Sequence, residues 1–364
     1  MTIKDIIASL EKLAPPIYQE NYDNSGLLVG DAAQEINKVL VCLGGIEAVV
    51  DEAIAIGAGL IVAHHPIVFN GLKRLNGKNY IERVVMKAIK NNIAIYAIHT
   101  NLDNVQHGVN QKIGQMLGLK NLKVLAPKAN VLYKLISYVP VDYTEKVLQA
   151  LFDSGAGNIG NYAECSFTSM GKGTYKANDS AKPFLGEKNI RHTEAEERIE
   201  VLVPAHLKSA TVSALKKAHP YEEVAYELYE IQNTNQQIGA GMIGELESAL
   251  DEKDFLRFCK KALKTACIRH TSLTGKEVKK IAFCGGSGSF LLPHAKAANA
   301  DVYITGDFKY HEFFDADEKI LIADVGHFES EQFTIELLAD YLIEKFPTFA
   351  VLKTGVNTNP IAYI

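Results

Sequence analysis

Histidine and carboxylate residues gather in three short stretches: His64-His65-Pro66, His99-Thr100-Asn101-Leu102-Asp103 and Gly326-His327-Phe328-Glu329-Ser330-Glu331. Imidazole nitrogens and carboxylate oxygens without thiolates suit Zn²⁺, Fe²⁺, Mn²⁺ or Ni²⁺, with geometry rather than donor type choosing among them. Each stretch follows an apolar run, Gly59-Leu60-Ile61-Val62-Ala63, Ile93-Ala94-Ile95-Tyr96-Ala97-Ile98 and Ile320-Leu321-Ile322-Ala323. Such short, β-branched runs read as parallel strands covered on both faces. Ligands of open α/β sheets bind at the carboxyl ends of their strands, so the spacing predicts three strands delivering donors to one edge.

Local chemistry sharpens that picture. Neighbouring side chains on a strand point to opposite faces, so His64 and His65 share a small site only if the chain bends, and Pro66 supplies a reason to end the strand there. Histidines splayed in this way suit two ions better than one. His327 and Glu331 stand four apart, the spacing of a chelating pair on one helix face. Asp103 is a loop carboxylate four residues after His99. A lone strand-end histidine is usually structural, and an i,i+4 pair is often a surface contact. Recurrence at three strand ends is what points to a shared metal site.

The elements that must position these groups repeat in two places. Helix 3–13, strand 38–43, helix 47–56, strand 60–63, helix 80–91, strand 93–98 and helix 108–117 alternate in βαβ order. The same grammar returns as helix 251–264, strand 278–284, helix 290–299, strand 301–305, helix 311–316, strand 320–323 and helix 330–346. Between them lie a strand at 131–139, a helix at 144–153, two shorter strands at 162–168 and 171–176, a strand at 198–203, a helix at 207–218 and a strand at 223–231. That middle segment reads as the ferredoxin-like βαββαβ pattern, an insertion whose return linker is Gln232–Gln237. The expected boundaries are 1–129 and 233–364 for the two similar halves of an α/β metal-binding core, and 130–232 for the inserted domain.

Composition bounds the partners. The 364 residues are 47% hydrophobic, enough for two domains, and 38 basic against 43 acidic residues give a net charge of −5. With a pI near 6.1 no overall positive field draws nucleic acid. Five scattered cysteines without C-x-x-C spacing argue against both a disulfide framework and thiolate zinc. No apolar run approaches the ~18 residues of a membrane span, and the first residues lack a signal-peptide core, so a cytoplasmic protein is expected.

Four signatures, His64-His65-Pro66, His99-Thr100-Asn101-Leu102-Asp103, Thr305-Gly306-Asp307 with Tyr310-His311, and Gly326-His327 with Ser330-Glu331, together resemble the NIF-three-like family, the GTP cyclohydrolase I type 2 homologues. Asp23-Asn24-Ser25-Gly26-Leu27-Leu28-Val29-Gly30 and Asn359-Pro360 fit it as well. The resemblance implies a three-layer NIF-three-like core built from two similar halves, and a dinuclear centre ligated by His64, His65, Asp103, His327 and Glu331. It also implies a homohexamer and a PII-like insertion, down to His219-Pro220-Tyr221-Glu222-Glu223-Val224-Ala225-Tyr226. One departure stands out: relatives carry Asp, then Thr two positions on, where this chain has Gly44-Gly45-Ile46. A carboxylate lost beside the metals removes a base or a hydrogen-bond acceptor.

Five protein donors leave open positions on two ions, zinc foremost, with a metal-bridging hydroxide as the expected nucleophile. The resemblance implies hydrolysis of GTP or a related nucleotide. The alternative is a metal-dependent regulator or metal carrier whose PII-like domain binds a small effector or a protein, so enzymatic activity stays open. His99 either orients Asp103 or binds substrate, or is a buried histidine bonded to backbone. Asp307 and His311 are either substrate groups near the metal edge or helix-capping residues. Cys284-Gly285-Gly286-Ser287-Gly288-Ser289 is either a tight turn or an anion cradle lacking the Walker lysine. Tyr221, Tyr226 and Tyr229 read as core and interface aromatics.

Overall fold

Burial on both faces explains the strands that carry the first two stretches. In the computed structural model, which describes residues 1–364, Leu60, Ile61, Val62 and Ala63 are fully buried, as are Ala94, Ile95, Tyr96 and Ala97. The chain divides into two units, Met1–Pro127 with Gln237–Ile364, and Lys128–Gln236.

The first unit holds two sheets. One has five strands in the order Gly26–Val29, Ala94–Ala97, Leu60–His65, Lys38–Gly44, Ala350–Lys353, parallel except for the first. Helices Glu47–Ile56 and Tyr80–Lys90 cover it, setting Val49, Val50, Ala53, Val84, Val85 and Ala88 against Leu40, Ile61 and Ile95. Their ends are fixed locally: Asn79 caps the second by accepting the Glu82 amide at 2.9 Å. The other sheet has six strands, Arg269–His270, Leu321–Asp324, Val302–Gly306, Glu277–Ser287, Asn235–Asp251 and Lys120–Lys128, with a parallel trio at 277–287, 302–306 and 321–324.

The three donor-bearing stretches therefore do not share one sheet edge. His64-His65 and His99 follow strands of the five-stranded sheet, whereas His327 follows Leu321–Asp324 of the six-stranded one. Apolar patterning tells that a strand is buried on both faces and is silent on which strand it pairs with. Five strands escaped the patterning: Gly26–Val29, Lys120–Lys128, Asn235–Asp251, Arg269–His270 and Ala350–Lys353. Four lie at sheet edges, and the fifth begins inside the expected linker Gln232–Gln237 and is rich in glycine. Gly239 shows why, since a Cβ there would stand 2.1 Å from the carbonyl oxygen of Ala126 on the neighbouring strand. The expected helix 330–346 is two helices, His327–Glu331 and Thr334–Lys345. No helix is long and apolar enough to cross a membrane.

The second unit has strands Leu132–Pro140, Ser166–Lys176, Arg191–Pro204 and Tyr226–Ile231 with helices Thr144–Asp153 and Lys208–Ala218, in βαββαβ order. Its sheet is antiparallel throughout, ordered 166–176, 191–204, 132–140, 226–231. Residues expected as two short strands form one, because the ladder from Ser166↔Val201 to Lys176↔Arg191 passes through Met170 without a break. Leu135, Val139, Ile199, Val201 and Val203 face the helices. Alternate residues such as Tyr138, Glu196 and Arg198 therefore point to the other face.

Gly239 lies against Ala126 and Pro127, so within the first unit the chain leaves and returns at adjacent points. Closing so short a gap costs little entropy. A short Gly/Ser linker joining Lys128 to Gln236 is expected to leave a soluble, cooperatively melting protein that retains its metal content. Aggregation with loss of metal, read by light scattering and elemental analysis, would refute separability.

Candidate metal centre

His64 is placed by a single backbone bond. Its strand runs through His65, paired with Gly44 in register, and ends directly before Pro66, as expected. Fully buried, His64 gives its Nδ1–H to the Ile98 carbonyl at 2.8 Å, which leaves a lone pair on Nε2. That Nε2 is buried without a hydrogen-bond partner, 3.7 Å from Asp103 Oδ1 and 3.7 Å from Glu331 Oε1. Burial lowers the imidazole pKa to about 4 against the pull of Glu331, so the ring is uncharged at neutral pH. Asp103, at the end of the one-turn helix Thr100–Asp103, also buries an Oδ1 that has no partner. Burial and the Glu331 charge raise its carboxyl well above the usual range. Three atoms able to ligate a cation thus converge, two of them buried without a hydrogen-bond partner, an arrangement that a cation relieves.

A second group meets on the other oxygen of the same carboxylate. His65 Nε2 lies 2.8 Å and His327 Nε2 3.1 Å from Glu331 Oε2, and the two imidazole nitrogens are 3.3 Å apart. His327 and Glu331 are the first and last residues of helix His327–Glu331, so the i,i+4 spacing sets both side chains into one group. Burial opposes ionisation of Glu331, but His327 and His65 outweigh it and hold the carboxyl well below its usual range. Burial likewise works against the His327 cation, which Glu331 and Asp307 nevertheless raise to about 11 in the metal-free cluster. The five expected ligands are therefore brought together, and this His/Asp/Glu cluster could bind a metal ion.

Of the other expected residues, Asp307 accepts His327 Nδ1–H at 2.7 Å and so orients the ring. His99 lies against both His64 and His65, at ring distances of 5.2 and 5.3 Å. Its Nδ1 is bonded at 2.8 Å to the carboxylate of Asp23 rather than to backbone. Burial works to lower the His99 pKa, and Asp23 with Asp103 raises it overall. His311 is not drawn in: it is exposed on the turn Tyr310–Ala316, with its ring against Tyr310 and Phe314.

Sequence reasoning gave no role to Asp23, whose carboxylate also accepts the Thr100 amide at 3.0 Å and the Ser25 hydroxyl at 3.0 Å. Its only signal was membership of the Asp23–Gly30 signature. Phe69, edge-on to His99 at 6.3 Å and stacked with Tyr22, was missed as well. The glycine-rich segment after Cys284 is not an anion cradle. The Gly285 amide is taken by Asn110 Oδ1 at 3.0 Å and the Gly286 amide by Ser330 Oγ at 2.9 Å. Gly286, at φ +63°, makes room instead: a Cβ there would lie 2.3 Å from Glu331 Oε1. At Gly44 the space is open, since a Cβ would meet only Thr358, at 3.9 Å.

Residues 1–360 match the family described as Duf34/NIF3 (NGG1p interacting factor 3). A protein of Halalkalibacterium halodurans named GTP cyclohydrolase 1 type 2 homolog is 38% identical over 364 residues, covering 99% of this chain and 98% of its own. The Bacillus subtilis protein of that name is also 38% identical, with the same coverage of both chains. Among solved structures, a Bacillus cereus protein related to NIF3 superposes with a TM-score of 0.86 at 36% identity, over 100% of this chain and 99% of that one. A Staphylococcus aureus protein does so with a TM-score of 0.79 at 30% identity and the same coverage. On the match of its fold and of its whole length, this chain belongs to the DUF34/NIF3 family.

Proposed function

We propose that the cluster holds two divalent ions and that the protein is a metal-dependent hydrolase acting on GTP or a related nucleotide. The observation that carries this reading is Glu331, whose Oε1 faces His64 while its Oε2 faces His65 and His327. One buried carboxylate in two donor groups is the arrangement of a bridging ligand. Nitrogen and oxygen donors without thiolate fit zinc, with iron, manganese or nickel as alternatives. Ions held there would supply Lewis-acid polarisation and a nucleophilic water at neutral pH. His64, His65, Asp103, His327 and Glu331 would hold them, and Asp307 and the Ile98 carbonyl fix two of the rings in the ligating tautomer.

The substrate class rests on the name carried by the relatives, and two features beside the cluster suit it. His99, steadied by Asp23, keeps its second ring nitrogen for a substrate atom. Phe69 and Tyr22, at 41% and 64% exposure, offer flat faces to a base. The same reading includes the homohexamer that the resemblance implies, checked by sedimentation equilibrium. A second reading, a metal-dependent regulator or carrier, is favoured by Gly44, which leaves the strand position opposite His65 without a carboxylate.

Elemental analysis of the purified protein is expected to give two ions per chain, and His64→Ala or Glu331→Ala should lose at least one. Equal metal content in all three proteins would sink the shared-carboxylate site. General-base assistance is worth about 10²–10⁴-fold. Gly44→Asp is therefore expected to raise turnover of GTP, measured against other nucleotides and phosphodiesters, while leaving metal content unchanged. Efficient wild-type hydrolysis that the substitution does not alter makes position 44 irrelevant. Stoichiometric metal transfer without turnover by either protein establishes the carrier.

A further inference from the structure

The face of the second unit's sheet turned away from its helices carries a cavity of about 960 Å³, at the upper end of small-ligand pockets. Glu196, only 7% exposed, lies in it. Its Oε1 accepts the Tyr221 hydroxyl at 2.8 Å, and burial together with the carboxylate itself raises that hydroxyl's pKa, so the hydroxyl stays the donor. Its Oε2 accepts no hydrogen bond from the protein and lies over Gly173 of the neighbouring strand, where a Cβ would come within 1.9 Å. A glycine is needed there for the carboxylate to reach this position.

The walls are fixed before any ligand arrives. The Tyr221 amide donates to His219 Nδ1 at 3.1 Å, and the buried His219 ring donates from Nε2 to the Tyr138 carbonyl at 3.0 Å. The two bonds together select one neutral tautomer, which burial favours by lowering the ring's pKa. Tyr175 and Phe184 stand 5.8 and 6.3 Å from the Tyr221 ring, their planes inclined to it by 65° and 50°. The loop bearing Phe184 is tied down where the Lys182 amide donates to Glu222 at 2.7 Å and the Tyr175 hydroxyl to the Leu185 carbonyl at 2.9 Å. Tyr221, expected as a core or interface aromatic, is thus a wall of a cavity. Preorganisation of this kind lowers the cost of binding.

Strand register decides which charges face this space. Gly171 pairs with Glu196 and Gly173 with Glu194, whereas Lys172, paired with Ala195, and Lys176, paired with Arg191, alternate to the opposite face. The basic side chain that does share the cavity side, Arg198, is already bound to Glu200, and Glu194 holds His192 Nε2 at 2.8 Å. Glu222 and Glu223 also line the cavity, so carboxylates outnumber cations around it. An ionised carboxylate only accepts, so a ligand must bring N–H or O–H donors to Glu196, and the surrounding charge favours a donor that is itself positive. Rings inclined at 65° and 50° cannot all stack on one flat ligand. They form a corner of π faces, which draws a cation.

We propose that this cavity binds a small organic ammonium ion, its N–H donors on Glu196 Oε2 and its charge and carbon body against the rings of Tyr175, Phe184 and Tyr221. The test titrates full-length protein calorimetrically at neutral pH with phenethylammonium, its N-trimethyl analogue, phenethyl alcohol and phenylacetate, which separate positive charge from hydrogen-bond donation. One phenethylammonium per chain is expected, about tenfold tighter than either the trimethyl analogue or the alcohol, because a hydrogen bond to a charged group is lost in both. Phenylacetate should not bind. Glu196→Gln should weaken phenethylammonium by about the same factor and erase its advantage over the trimethyl analogue. Phe184→Leu, at a position 45% exposed where folding is not at stake, should weaken both cations about threefold and leave the alcohol unchanged. Absence of saturable phenethylammonium binding, equal affinity for the alcohol or the trimethyl analogue, or unaltered cation affinity in either variant would overturn the proposal. Glu196 and Phe184 belong to the second unit and the metal-centre residues to the first, so the ammonium cavity and the metal centre stand or fall separately.

Discussion

A carboxylate taken wholly out of water stays ionised only if positive charge or hydrogen-bond donors surround it, and Glu331 meets that condition in an unusual way. It is 2% exposed, and the groups within reach are imidazoles from two different sheets, together with the carboxylate of Asp103 on the far side of His64. Much of the first unit follows from meeting this demand. The bare backbone at Gly286 lets Glu331 approach, and Ser330 ties the helix that carries it to the Gly286 amide. The parallel strands of the two sheets bring their carboxyl ends close enough for histidines some 260 residues apart to touch, as His65 and His327 do.

The outer contacts are organised by the same principle, that a ligating ring is only as well placed as its second nitrogen. His64 is held by a backbone carbonyl, His327 by Asp307 and His99 by Asp23. These anchors differ in exposure: the carbonyl of Ile98 is interior, the Asp23 side chain is fully buried, and that of Asp307 is 47% exposed. The anchoring of the cluster therefore grades from buried at His64 to half-exposed at His327.

How far the sequence revealed this depends on the kind of information involved. Buried strands such as Leu60–His65 announce themselves because both faces are apolar, and helices Ile3–Leu13, Glu47–Ile56 and Thr144–Asp153 were readable to the residue from period and caps. The donor residues were legible for a similar reason, since His and Glu at strand ends stand out from their surroundings. Partnership was not legible. Nothing local in Ile320-Leu321-Ile322-Ala323 tells that it belongs to a different sheet from Ile93–Ile98. Edge strands such as Ala350–Lys353 have a polar, exposed pattern that matches loops equally well. Asp23 was hidden because a carboxylate in a turn has the same appearance whether it caps the turn or braces a histidine. Glu196 was hidden because its meaning depends on a glycine in another strand.

The strand order carries a consequence for how the molecule is made. Lys38–Gly44, among the first strands to leave the ribosome, pairs with Ala350–Lys353, among the last, and the donors of the cluster span from His64 to Glu331. Contacts of such sequence separation form late, after loop closure has been met by other interactions. The nascent chain therefore holds its first three donors in an incomplete pocket throughout synthesis of the intervening module. An ion taken up by this cluster would bind the finished fold, as a mass-action lock on the native state rather than as a template for reaching it.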